Sequence, residues 1–240
     1  MKAAALILLA LGLTAAPLPT AAQPAVERVD IALVLAVDVS GSVDDSRFAL
    51  QMEGIARAFE DREVQNAILS GPSAAILVTL VNWSQKPQVA VPWRVIAGPA
   101  DALAFAADVR RAPRRAEDFT CMSLMMQAVE EKMLPLMPLP ADRMVVDVSG
   151  DGRDNCNPQT AVDSVRDALV ADRVTINGLP IRAGKEAATI AQWYEHHVIG
   201  GPAAFLLPAD GYEDFGRAIR QKFLIEISGR KPGTAILATQ

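Results

Sequence analysis

Apolar positions along the chain fall into two kinds of pattern. Six runs are nearly continuous and rich in β-branched residues: 29–37, 74–82, 88–93, 144–148, 174–181 and 203–208. Each reads as a strand buried on both faces. Elsewhere apolar residues recur on one side of a helix. Phe48, Met52, Ile55 and Phe59 are spaced four, three and four apart; Met125, Val129 and Met133 four and four; Val162, Val165 and Leu169 three and four. Such strands alternating with one-sided helices predict an α/β fold with a doubly wound, mostly parallel central sheet and helices on both faces. Only Ser84-Gln85-Lys86-Pro87 separates the second and third runs. That is too short for a crossover, so this pair is expected to be an antiparallel hairpin at one edge.

The ends of the chain differ from the middle. Residues 1–22 carry one charge, Lys2, then an apolar run from Ala3 to Ala16, and close on small residues ending in Ala21-Ala22. Those are the parts of a secretory signal peptide, with cleavage expected after Ala22. No later run is long enough to span a bilayer, so no membrane span is expected in the mature chain. Nothing divides residues 28–228, which are expected to form one domain, and 229–240 are expected to be a flexible tail. The formal net charge of −5, with acidic residues scattered, argues against a nucleic-acid partner. The local exception, Arg110, Arg111, Arg114 and Arg115, follows a helix pattern and reads as a solvated surface or a helix C-terminal charge bias.

Candidate chemistry gathers where strands are expected to give way to helices, the edge at which open α/β sheets bind ligands. Asp38-Val39-Ser40-Gly41-Ser42 follows the first strand. Alternate residues there can aim one carboxylate and two hydroxyls at a common point, an oxygen-only set suited to a hard cation. Singly, each residue also fits a turn or helix-cap role. Two further oxygen-bearing loops stand at comparable edges: Glu117-Asp118-Phe119-Thr120 before the helix of Met125, and Ser149-Gly150-Asp151-Gly152 after the fourth strand.

Together the three loops resemble the metal-ion-dependent adhesion site of von Willebrand factor type A domains, over roughly residues 28–228. The resemblance implies a Rossmann-like fold and carries the ligand roles to Asp38, Ser40, Ser42, Thr120 and Asp151. The whole chain is similar to uncharacterised exported proteins of proteobacteria in this superfamily, which implies a periplasmic or secreted location. Two departures keep alternatives open. Asp118-Phe119 stands where the family carries Gly before its Thr, leaving Ser123 as an alternative to Thr120. Gly150 precedes Asp151 where Thr or Ser is usual, leaving Asp147 and Asp154 as alternatives. Asp147 also reads as a buried hydrogen-bond acceptor within its strand.

Two carboxylates and three hydroxyls suit Mg²⁺ or Mn²⁺ better than the larger Ca²⁺ shell, and no His or Cys is placed for zinc. Such a set leaves the ion under-neutralised, so a partner presenting Asp or Glu can complete it. The resemblance thus implies a metal-dependent protein-binding module, of adhesion or scaffold type, and not an enzyme. It also brings Cys121, beside Thr120, near Cys156, five residues past Asp151; in an oxidising compartment the two are expected to form a disulfide.

The alternative is a metal-dependent hydrolase or phosphatase using Asp38. Ser40 stands where phosphatases resembling the Asp-x-Asp-x-Thr pattern carry their second Asp, the general acid. Ser40 also lacks the Gly-x-Ser-x-Gly elbow of a serine hydrolase. The adjacent His196 and His197 diverge as neighbours and read as a polar helix end. Trp83 and Trp93 flank the hairpin, as core packing or as interface anchors.

Overall fold

The computed structural model describes residues 26–115, 117–156 and 161–229. The expected signal peptide and residues 230–240 of the expected tail lie outside the described residues. Five strands form one sheet: β1 (Val29–Asp38), β2 (Ile76–Trp83), β3 (Gln88–Ile96), β4 (Ala141–Gly150) and β5 (Val174–Pro180). Their order is β3-β2-β1-β4-β5. β1 runs parallel to β2 and β4, β4 runs parallel to β5, and β3 alone is antiparallel, paired with β2 as the short connection requires.

Among the described residues seven α-helices cover the sheet: α1 (Asp45–Glu60), α2 (Arg62–Leu69), α3 (Pro99–Arg110), α4 (Met122–Ala128), α5 (Val162–Ala171), α6 (Ile190–His197) and α7 (Phe215–Ser228). The pleat of β1 explains the two cores. Leu33, Leu35 and Val37 project into one with Phe59, Phe105 and Phe223, whereas Val34 and Ala36 project into the other with Met122, Met125 and Tyr194. In the first core the Phe59 ring meets Phe105 at 4.7 Å and Phe223 at 5.1 Å between centroids. There α1 and α7 approach closely at Gly54, where a Cβ would stand 2.8 Å from the Phe215 ring. Among the described residues no helix is long and apolar enough to cross a membrane.

Two elements depart from expectation. The run 203–208 makes no strand. It touches β5 only through isolated bridges, with Gly178 donating to the Phe205 carbonyl at 3.1 Å and Leu207 donating to the Gly178 carbonyl at 3.0 Å. Pro202 and Pro208 have no N–H to offer, and the Phe205 N–H is taken by the Asn177 side chain at 3.0 Å, so the ladder cannot propagate. The helix of Met125, Val129 and Met133 changes form partway: α4 ends at Ala128, a π-turn covers Val129–Met133, and a 3₁₀ turn covers Leu134–Leu136. Spacings of four and four overrun 3.6 residues per turn, and the wider turn keeps all three residues buried. Pro135 then forbids continuation.

Candidate metal centre

The first loop starts where β1 runs out. Asp38 pairs with Trp83 at the last register position of β1 and β2, and the chain turns back with Val43 N–H donating to the Ser40 carbonyl at 2.9 Å. Asp44 then caps α1, its carboxylate accepting the Arg47 N–H at 2.8 Å. Within this turn the Ser40 N–H donates to Asp38 Oδ1 at 2.8 Å. The Gln51 side chain reaches back from α1 to the Asp38 carbonyl at 3.1 Å. Asp38 and Ser40 are buried, whereas Ser42 is exposed.

Two other loops close on this turn. Thr120 donates from Oγ1 to Ser40 Oγ at 3.1 Å, Ser42 Oγ donates to Asp151 Oδ1 at 2.6 Å, and the Ser40 and Ser42 hydroxyls are 3.4 Å apart. Asp38, Ser40, Ser42, Thr120 and Asp151 therefore form one cluster of oxygen atoms at the C-terminal edge of the sheet. Thr120 is fixed from the other side by Asn155, which accepts its N–H at 2.9 Å and donates its own N–H to the Thr120 carbonyl at 3.0 Å. A bond between Cys121 and Cys156, with Cα atoms 5.3 Å apart, ties the same two loops covalently.

The alternative ligands are placed elsewhere. Asp154 accepts the Ser123 N–H at 2.7 Å and the Cys156 N–H at 3.2 Å, so its carboxylate caps the start of α4. Ser123 is fully buried beneath that cap. Asp147 points to the opposite face of the sheet, where Lys222 of α7 stands 2.8 Å away and also pairs with Glu226. Trp83 is wholly buried and Trp93 donates its indole N–H to the Met133 carbonyl at 3.2 Å, so both tryptophans pack inward. The arginine cluster is a surface network: Arg110 bridges Glu53 and Glu60, Arg111 pairs with Asp108, and Arg114 with Asp45. His197 ends α6 and contacts Asp163 at 3.1 Å.

Electrostatically the cluster is unfinished. Asp38 Oδ2 is buried without a hydrogen-bond partner. Burial pushes the Asp38 carboxyl up to about 7, against the Ser40 hydrogen bonds, and the charge of Asp151 adds to the rise. Among the described residues no group of three or more His, Cys, Asp and Glu is arranged to hold a metal. Any cation here would thus rely on two carboxylates plus hydroxyls. An orphaned carboxylate oxygen beside a second acid and three hydroxyls fits a small hard cation.

Both tyrosines of the chain lie here as well, unforeseen in the sequence because each sits far from the loop motifs. Tyr194 of α6 and Tyr212 are buried, and neither hydroxyl has a partner. Burial holds both phenols well above their ordinary range; after it, the charge of Asp38 contributes most at Tyr194 and that of Asp151 most at Tyr212. The Tyr212 hydroxyl approaches Asp151 without meeting hydrogen-bond geometry, and its ring lies 5.2 Å beneath the Arg47 guanidinium.

A mostly parallel five-stranded sheet with one antiparallel edge strand, wrapped by helices and carrying its polar loops at one end, defines a von Willebrand factor type A-like fold. Solved structures agree. Proximal thread matrix protein 1 from the mussel byssus superposes with a TM-score of 0.60 at 11% identity, over 83% of this chain and 46% of that one. A second structure of that protein is described as having a zinc-occupied MIDAS motif. A von Willebrand factor type A protein from Catenulispora acidiphila gives 0.59 at 14% identity, over 83% and 43%. The SpRpn10 VWA domain gives 0.54 at 14%, over 80% and 95%. The chain thus spans less than half the length of the mussel and Catenulispora structures. A search of curated proteins found no match. The chain belongs to the DUF1194 family, described as proteins of unknown function, whose model matches residues 28–231.

Proposed function

We propose that the protein is an exported binding module that captures an acidic group of a protein partner through one Mg²⁺ or Mn²⁺ held by Asp38, Ser40, Ser42, Thr120 and Asp151. The observation that supports this reading is the linked run of Thr120, Ser40, Ser42 and Asp151 side chains beside Asp38, one of whose carboxylate oxygens is buried without a hydrogen-bond partner. Two carboxylates leave a divalent ion with hydroxyl ligands and room for one more anion, which an Asp or Glu of a partner supplies. Phe119, 47% exposed beside Thr120, gives the rim an apolar contact for a protein partner. The pilus adhesin SpaC of Lactobacillus rhamnosus GG, another structural neighbour, is by its name a protein of this kind of role. We read the module as non-catalytic, since both histidines stand on α6 and the hydroxyls of Ser40 and Ser42 bond to each other, to Thr120 and to Asp151, with no histidine to activate them.

The signal peptide proposed for residues 1–22 and the disulfide across the site both suit a periplasmic or secreted setting, with residues 28–228 as the working domain. Calorimetric titration of chelator-treated protein with Mg²⁺ should reveal one site that Asp38→Ala abolishes with the fold retained. Capture from an envelope extract should then require the ion. Equal affinity in the variant, or metal-dependent ester or phosphoester hydrolysis lost in Asp38→Asn, would overturn the reading. Zinc belongs in the same titration, given the zinc-occupied motif of the mussel protein.

A further inference from the structure

α6 is a short helix with Ile190 and Tyr194 one turn apart, both fully buried against the sheet. The way Tyr194 enters the sheet depends on two glycines. A Cβ on Gly178 of β5 would lie 2.9 Å from Tyr194 Cδ1, so the ring rests on bare backbone there. A Cβ on Gly150 of β4 would lie 2.9 Å from the Tyr194 hydroxyl and 2.8 Å from Asp38 Oδ2. Gly178 and Gly150 thus leave a track across β5 and β4 along which the phenol reaches toward β1. At its end two buried oxygens, one a donor and one a carboxylate acceptor, face the same point, and neither has another partner.

Packing alone does not account for the hydroxyl. Phenylalanine would fill the same track, and a buried hydroxyl with no partner is a net cost to the fold. Building on the cation reading proposed above, we infer that Tyr194 is a positioning residue, whose hydroxyl donates to one lone pair of Asp38 Oδ2 and fixes the carboxylate with its other lone pair left for the ion. A neutral phenol carries a proton to donate, and a carboxylate can only accept it. Groups that orient a ligand in this way govern metal affinity almost as strongly as the ligands do. The inference also accounts for Gly150, which stands directly before Asp151: any side chain there would occupy the meeting point of the two oxygens.

Titration with Mg²⁺ alone of wild type, Tyr194→Phe and Asp38→Ala tests this, alongside ¹³Cζ tyrosine resonances assigned with Tyr194→Phe and Tyr212→Phe. Tyr194→Phe should fold and be at least as stable without metal, yet bind Mg²⁺ roughly 10- to 100-fold more weakly. In wild type the Tyr194 Cζ resonance should shift as Mg²⁺ saturates the protein, and in Asp38→Ala it should not. Wild-type affinity in Tyr194→Phe, or an unmoved Tyr194 resonance in a wild-type protein that does bind the ion, overturns the positioning role and leaves the cation site standing. Absence of saturable Mg²⁺ binding in wild type overturns the cation reading and this inference with it.

Discussion

Asp147 and Asp38 stand on adjacent strands, both enclosed, and burial pushes both carboxyls up to about 7. Each has a second acid at hand, Glu226 for one and Asp151 for the other. On the α7 face the chain supplies its own cation: the Lys222 ammonium, itself fully buried, pairs with both acids, and Asn177 donates a further hydrogen bond to Glu226 at 2.8 Å. At the sheet edge the Arg47 guanidinium donates to the Ser42 carbonyl, and among the described residues no cation pairs with Asp38 or Asp151; hydroxyls of Ser40, Ser42 and Thr120 gather beside these acids instead. The pairing on α7 is permanent because its cation is tethered. On the reading proposed above, the edge cluster is organised for a charge that can come and go. Desolvation is the same problem in both places, and only one has been solved within the chain.

The comparison can be broken most forcefully at Lys222. Lys222→Met leaves Asp147 and Glu226 buried without a cation and should cost about 3–5 kcal/mol in chemical denaturation; a loss below about 1 kcal/mol would mean the two regions do not differ as argued. Next comes the edge. Mg²⁺ at a hundred times its dissociation constant should stabilise wild type by about 2.7 kcal/mol and should leave Asp38→Asn unmoved, as thermal denaturation with and without chelator would show.

A smaller effect follows from Asp147. Its folded value near 7 lies above the ordinary 3.8, so between these two values the folded state holds a proton that the unfolded state has already lost. The stability from that proton is complete below 3.8 and disappears as pH rises through about 7. In an Asp38→Asn background, raising pH from 6 to 8 should therefore lower stability, by on the order of 1 kcal/mol. Adding Asp147→Asn should flatten that slope; an unchanged slope would remove Asp147 from the explanation. The least effect is expected at Arg110, which bridges Glu53 and Glu60 in the open. Arg110→Ala should cost under about 1 kcal/mol, and less at high salt.

Much of the sheet was legible because strands buried on both faces show as continuous apolar runs, and the short Ser84 to Pro87 connection fixed the sense of β3. The three loops were legible because their oxygen-bearing residues are contiguous. α7 escaped notice for the reason that makes it interesting: Lys222 and Glu226 occupy core-facing positions among Phe215, Ile219, Phe223 and Ile227, so two charges interrupt its apolar face. Tyr194 escaped because its reach depends on absent side chains at Gly178 and Gly150, and sequence spacing carries no sign of that. The segment 203–208 misled because its apolar content suits a strand while its flanking prolines do not. The separate placements of Asp147, which meets Lys222 within the core, and of Asp151 and Asp154, which follow β4, come from tertiary contacts that sequence spacing does not carry.

The two margins of the sheet are guarded differently. Along β3, the outer strand, Pro92 withholds one donor, and the pairing with β2 slips between Val78 and Leu80 and again between Leu80 and Val81. Arg94 adds a charge there, paired with Asp108. The β5 margin is overlain by residues 205–209, which take up its donors and acceptors at Gly178 and Pro180. Neither side presents a long, regular row of free backbone groups to another chain. Copies crowded together are thereby discouraged from zipping into extended sheets or fibrils.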